Sequence, residues 1–310
     1  MNATLASTAA LAALFSGVLS AADPQLLNLV MPDVKVMADI NVAQAKASPF
    51  GQYLLAQAET QQLTQIAALT GFDPTKDVSE LLIAGNGAGQ HSGVALVLGN
   101  FNVTGISNAI TQMKVGSETY RGVTIFENPK KEVGLAFFSG SVAGVGDLVN
   151  LKAAIDRVSS PSVLPAALST EIARLSAAND AWALSTVPLS SLKPAGAPPI
   201  PGLGNGAENA LGTVQSVSGG IKFGADVVAT IQAQADNAQD ASGIAGMVQF
   251  LVGMAQMKAS ADPQVQALVK ALTVTATGTT VNLSLALPSD QFQELLQSKT
   301  GSQHHAHPSE

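Results

Sequence analysis

The chain has 310 residues and a formal net charge of −7, and only 12% of its residues are charged. A chain this poor in basic residues cannot follow the phosphates of a nucleic acid, and it has no basic stripe to hold an anionic bilayer. Because it contains no cysteine, disulfides, a thiol nucleophile and a thiolate metal site are excluded as well.

Residues 1–22 predict a cleavable signal peptide. An uncharged run of small and apolar residues at 4–19 is followed by Ser20-Ala21-Ala22, whose small side chains suit signal peptidase, so the mature chain would begin at Asp23. No Lys or Arg precedes the run, which leaves open a buried N-terminal helix or a start codon placed too late. The signal and the lack of disulfides predict export to the periplasm or extracellular space of a bacterium, with no transmembrane segment after cleavage.

Residues 23–178 predict a first half in which helices alternate with hairpins. Period-2 patterns predict strands, and apolar residues three and four apart predict helices, with Ser48 and Asp147 as N-caps. The predicted strands cover residues 34–41, 81–84, 94–98, 119–126, 133–138 and 142–145, and the predicted helices cover residues 49–69, 106–113 and 148–158.

Residues 179–300 predict a second half with a similar order of elements. Strands are predicted at 181–187, 214–223, 227–235, 272–276 and 280–287, and helices at 240–257, 263–272 and 291–297. Helices set against antiparallel hairpins predict an α+β fold rather than a doubly wound sheet. The shared order raises the possibility of a duplication, although the two halves have almost no residue identity.

One segment carries a resemblance. It consists of the turn Gly71-Phe72-Asp73-Pro74, the acidic Asp77 and the strand that follows. This segment resembles exported bacterial proteins of unknown function that have a two-part α+β build. Tyr120-Arg121-Gly122-Val123 and the strand before Asp147 match the same pattern, which covers about two thirds of the mature chain. The resemblance implies export and an α+β build, and it brings no catalytic residues.

The chain offers little catalytic chemistry. The glycine-rich residues 85–89 lead into a strand rather than a helix, so they predict a hairpin loop and not a phosphate cradle. His91 is the only histidine before the C-terminal tail, and the pairs Asp73/Asp77 and Asp236/Asp240 are explained by turn closure and by helix capping. We therefore predict a protein without catalysis or cofactor, while a hydrolase that relies on carboxylates remains an alternative.

The C-terminal residues 301–310 predict a disordered tail. Its three histidines, His304, His305 and His307, are weak candidates for binding a metal ion, because a flexible segment does not fix enough ligands. No other metal site is predicted.

Two segments predict contacts with apolar partners. Residues 194–206 form an uncharged loop rich in Pro and Gly, which offers a contact surface at Pro199, Ile200, Pro201 and Leu203. Residues 244–257 form a helix that is apolar nearly all round, which usually indicates a buried helix. Alternatively, its side chains Met247, Phe250, Met254 and Met257 could line an apolar cavity. The sequence therefore predicts an envelope protein that acts by binding or assembly, with a carrier of an apolar ligand or lipid as the alternative.

Overall fold

The structure is a computed structural model that describes residues 22–58, 67–87, 92–128, 130, 132–188, 191, 210–258 and 263–294. Within these residues, a single antiparallel sheet of twelve strands carries helices on both faces. The fold is α+β, as the sequence predicts. The strands are β1 Val36–Asn41, β2 Val78–Gly85, β3 Val94–Gly99, β4 Gly116–Tyr120, β5 Val123–Asn128, β6 Val133–Phe137, β7 Val142–Asp147, β8 Ala181–Ser185, β9 Val214–Lys222, β10 Asp226–Ala235, β11 Leu272–Thr277 and β12 Thr280–Pro288.

The helices within the described residues differ in length from four residues to twenty-one. They are α1 Pro24–Leu27, α2 Val42–Ala47, α3 Pro49–Ala58, α4 Pro74–Asp77, α5 Val103–Gln112, α6 Leu148–Ser159, α7 Ala166–Ala178, α8 Ala238–Lys258 and α9 Pro263–Ala271. Residues 67–70, 210–212 and 289–294 are also helical.

The strand order is β11-β12-β10-β9-β8-β1-β2-β3-β7-β6-β5-β4. The antiparallel pair of β1 and β8 therefore joins the two predicted halves into one continuous sheet, with Ala38 opposite Ala183. Moving outward from this pair, one side continues with β9, β10, β12 and β11, and the other continues with β2, β3, β7, β6, β5 and β4. The two sides differ in their number of strands, and a duplication of the halves stays a prediction.

Several local predictions are confirmed by hydrogen bonds. The Ser48 hydroxyl accepts from the Gly51 amide at the start of α3, and the Asp147 carboxylate accepts from the Asn150 amide at the start of α6. Asp73 caps α4 through the Thr75 amide. Each bond satisfies a backbone donor that the first turn of a helix leaves free.

Two local predictions are wrong, two helices were missed, and one predicted helix is described only in part. The predicted strand at 119–126 is two strands, because Arg121 and Gly122 take φ angles of 48° and 82° and turn the chain back between β4 and β5. The sequence patterns missed helices α2 and α7. In α7 the buried residues Leu168, Ile172 and Leu175 are three and four positions apart, which is the spacing of one helix face. Neither Asp236 nor Asp240 caps α8, because the Asn237 side chain accepts from the Gln239 and Asp240 amides instead. The predicted helix at 49–69 is helical at 49–58 and at 67–70, and residues 59–66 lie outside the described part.

The two faces of the sheet are covered differently. The first face carries α1, α6 and α7, which bury the largest core cluster around Met37, Leu82, Leu96, Leu151 and Trp182. The second face carries α5 at one side, α8 and α9 at the other, and α2 and α3 near one end of the central strands. The middle of the second face is less covered, and the candidate site lies there.

Candidate functional site: apolar cavities and a buried carboxyl pair

A cavity of about 570 Å³ lies between the second face of the sheet and α5. We call it the α5 cavity. Among the described residues, Thr70 and Thr75 alone contribute polar side chains to its wall. The other lining residues are Val42, Leu55, Leu69, Phe72, Pro74, Val78, Leu81, Val97, Phe101, Ile106, Ile110, Met113, Leu135, Phe137, Ala143 and Val145.

Strand register explains why this wall is apolar. Leu81 of β2 lies opposite Val97 of β3, which lies opposite Ala143 of β7, so the three side chains share one face of the sheet. On α5, Ile106 and Ile110 are four residues apart and therefore project from one side of the helix. The cavity is the space between these two apolar surfaces, and side chains at its edge are open to water: Leu69 is 64% exposed and Met113 is 53% exposed.

A second concave surface of about 680 Å³ lies on the same face, across β2, β1, β8, β9 and β10. We call it the central sheet surface. A row of cross-strand neighbours forms its floor, namely Ile83, Ala38, Ala183, Gly219 and Ile231. Three small residues lie between two isoleucines, which makes the row concave. Ile83 and Ile231 are each 49% exposed, and Leu81 lines both this surface and the α5 cavity.

The opposite face of the central strands holds two buried carboxyl groups. Asp39 of β1 and Glu80 of β2 are 6% and 5% exposed. Asp39 shares its face with Met37, Leu82 and Trp182, because side chains alternate along a strand. The Asp39 Oδ2 atom and the Trp182 Nε1 atom have no hydrogen-bond partner among the described residues.

Burial changes the acidity of both groups. Loss of hydration raises the pKa of Asp39 to about 8, and the negative charge of Glu80 acts in the same direction. Burial also raises the pKa of Glu80, against the opposing effect of the hydrogen bond from the Asp23 amide. The two carboxyls therefore retain a proton at neutral pH, and the titration belongs to the pair.

The cavities and the carboxyl pair differ in what they can do chemically. The α5 cavity and the central sheet surface can hold an apolar molecule, because their walls offer dispersion contacts and few polar groups. The carboxyl pair has the raised pKa of many acid–base groups, but both side chains are more than nine-tenths buried, so a substrate could not reach them in this conformation. Among the described residues, no group of three or more His, Cys, Asp or Glu side chains could hold a metal ion.

The comparisons with known proteins add only the fold. Three crystal forms of TP0453, a Treponema protein, are similar to this chain at 11–12% sequence identity, with TM-scores of 0.56, 0.54 and 0.53. The alignments cover 89–91% of this chain and 97–99% of TP0453. No family model and no curated relative matches the chain. The similarity shows that the α+β fold is shared over nearly the whole length of both chains.

The structure places some of the predicted site residues and leaves others undescribed. Met247 and Met254 are half-buried on α8, while Phe250 and Met257 are 65% and 75% exposed, so α8 is not buried on all sides. None of these four side chains lines the α5 cavity or the central sheet surface. Three predicted features lie outside the described residues. They are His91, the contact loop with Pro199, Ile200, Pro201 and Leu203, and the tail with His304, His305 and His307.

Sequence reasoning missed the α5 cavity and the carboxyl pair. The cavity could not be found, because it depends on the distance between α5 and the sheet. The pair left a signal that could have been read: Asp39 and Glu80 occupy inward-facing positions of strands whose other inward residues are apolar. Within the described residues, no helix is long and apolar enough to cross a membrane.

Proposed function

We propose that this protein is an exported, non-catalytic protein of the bacterial envelope that binds an apolar ligand, such as the acyl chain of a lipid, in the α5 cavity. The observation that carries the proposal is the wall of that cavity, whose described residues are apolar except for Thr70 and Thr75. A volume of about 570 Å³ falls within the range of small-molecule sites. The predicted signal at residues 1–22 supports export, and cleavage before Asp23 would leave α1 and its cap intact.

Two methionines give a matched test of where the ligand binds. Met113 lies at the edge of the α5 cavity, and Met257 is exposed on α8, away from it. We expect Met113→Lys to weaken the binding of a fluorescent fatty acid by about tenfold or more, because an acyl chain that fills the cavity would remove water from the new ammonium group at its edge, and a desolvated charge costs at least about 1–3 kcal/mol. Met257→Lys should bind like the unmodified protein.

The opposite pattern of affinities would place the ligand site on α8. If Met257→Lys weakens binding and Met113→Lys does not, the Met-rich face of α8 holds the ligand. If neither variant changes the affinity, the α5 cavity is not a ligand site. Thermal melting of both variants controls for loss of the fold, and mass spectrometry of a solvent extract of the native protein identifies the ligand that it carries.

Assembly through the central sheet surface is the second candidate function. Ile83 and Ile231 leave an apolar patch on the surface, and such patches commonly mark contacts between proteins. Light scattering of Ile83→Lys, with Val149→Lys as a control that is exposed on α6, separates the two candidates. Loss of a dimer in Ile83→Lys alone, with fatty-acid binding unchanged, would favour assembly.

A further inference from the structure

The start of the mature chain and the buried carboxyl pair meet at one hydrogen bond. The backbone nitrogen of Asp23 donates to the Glu80 Oε1 atom at a distance of 2.8 Å, across 57 positions of sequence. Asp23 is also the residue at which signal cleavage is proposed to begin the mature chain. The same nitrogen is therefore a peptide N–H in the uncleaved chain and an α-amino group in the cleaved one.

Cleavage changes the charge of this nitrogen. Hydrolysis of the Ala22–Asp23 amide adds one water, so that Ala22 leaves as a carboxylate and Asp23 keeps an amine. An α-amino group has an ordinary pKa of about 7.7–8.0, so the amine takes up a proton and is largely cationic at pH 7. A neutral donor beside Glu80 is thereby replaced by an ammonium group.

Among the described residues, no cation acts on the pKa of either carboxyl of the pair. The charges that act on the two carboxyls come from other carboxylates, Glu80 on Asp39 and Asp23 on Glu80. Asp39 and Glu80 are more than nine-tenths buried, and Asp39 Oδ2 has no partner among the described residues. A buried carboxylate without a cation is costly, whereas a charge-assisted hydrogen bond is roughly twice as strong as a neutral one.

We propose that removal of the signal peptide completes an ion-pair site in this protein, in which the new α-ammonium of Asp23 pairs with Glu80 and compensates the buried Asp39–Glu80 carboxyls. The inference rests on the export and cleavage proposed above. Its consequence is that the processed chain has a stabilising contact at Glu80 that the precursor lacks.

Burial of Ala22 supports this order of events. Ala22 is 5% exposed and packs in the main core cluster beside α1, so a protease could not reach the Ala22–Asp23 bond in the folded chain. Cleavage therefore precedes the docking of α1. The ammonium is present when Asp23 first approaches Glu80.

A double-mutant cycle measures the proposed ion pair. Four proteins are compared: chains that begin at Ala21 or at Asp23, each with Glu80 or with Glu80→Gln, all released from a fusion by a protease that leaves no extra residue. The chain that begins at Ala21 retains a peptide N–H at Asp23. Loss of the Ala22 side chain is common to both backgrounds and cancels in the cycle.

At pH 7 we expect a coupling of about tenfold or more in the unfolding equilibrium constant, measured by urea denaturation. The coupling should be lost at pH 10. The partner Glu80 raises the pKa of the Asp23 α-ammonium in the folded state, so the ion pair stabilises the protein fully below the pKa of the unfolded state. This stabilisation disappears as the pH rises through the pKa of the folded state. A coupling below twofold at pH 7 would overturn the proposal, as would a coupling that persists unchanged at pH 10.

A second measurement does not depend on the Glu80→Gln variant folding. The rate at which an amine-reactive reagent modifies the α-amino group of Asp23 reports its pKa, and we expect that pKa to lie one unit or more above the value in the same protein unfolded by urea. Equal pKa values would overturn the ion pair. Mass spectrometry of the protein from its native host gives the first residue independently. A first residue other than Asp23 would refute the processing role together with the proposed cleavage, whereas Asp23 without coupling would refute the ion pair alone.

Discussion

Replacement of Asp39 by Asn should remove a pH dependence from the stability of the uncleaved form. In a chain that begins at Ala21, where Asp23 keeps its peptide N–H, the folded state holds a proton on a group whose pKa is raised from 3.8 to about 8. The unfolded state releases that proton above pH 4. The folded state therefore binds one more proton than the unfolded state between about pH 4 and pH 8, and stability falls as the pH rises through this window.

The slope sets the magnitude. A difference of one bound proton changes the free energy of unfolding by about 1.4 kcal/mol per pH unit. The free energy of unfolding of the unmodified chain should therefore fall by about 3 kcal/mol between pH 5 and pH 7 through this pair. Asp39→Asn keeps the shape of the neutral carboxyl and cannot ionise, so its free energy of unfolding should lack that slope.

Urea denaturation at three pH values between 5 and 7 provides the assay, with the difference between the two proteins plotted against pH. Asp226→Asn, at an exposed position of β10, serves as the control and should follow the unmodified chain. Parallel curves for Asp39→Asn and the unmodified chain would refute the reasoning, because they would show that the Asp39 carboxyl holds no extra proton in the folded state.

Two further predictions concern the frame around the site, and urea denaturation checks both. Asp147→Ala should lower the free energy of unfolding by about 1–3 kcal/mol, because the Asp147 carboxylate both caps α6 and accepts from the Gly93 amide at 2.8 Å; an unchanged midpoint would show that water replaces both bonds. Gly122→Val should cost about 1–3 kcal/mol, because a β-branched residue is strained at a φ of 82°. Arg121→Asn, which places a residue tolerant of positive φ in the same turn, should not destabilise, and equal losses in both variants would contradict the turn argument.

The local elements of this protein follow from short-range patterns in its sequence. Asp147 before an apolar helical pattern predicts the start of α6, and Thr277-Gly278-Thr279 between two alternating runs predicts the hairpin of β11 and β12. These features depend on backbone hydrogen bonds and on φ angles within a few residues. Where two local patterns compete, sequence reasoning fails: the alternation through residues 119–126 hides the turn at Arg121 and Gly122.

The candidate site depends on contacts between residues that are distant in the chain. Asp39 and Glu80 are neighbours because β1 pairs with β2, and the floor of the central sheet surface exists because β1 also pairs with β8. The sequence determined that these strands form and which of their side chains share a face. Which strands become neighbours, and how far α5 stands from the sheet, was decided by the joint packing of all the elements, and so only the tertiary structure shows the α5 cavity and the hydrogen bond between Asp23 and Glu80.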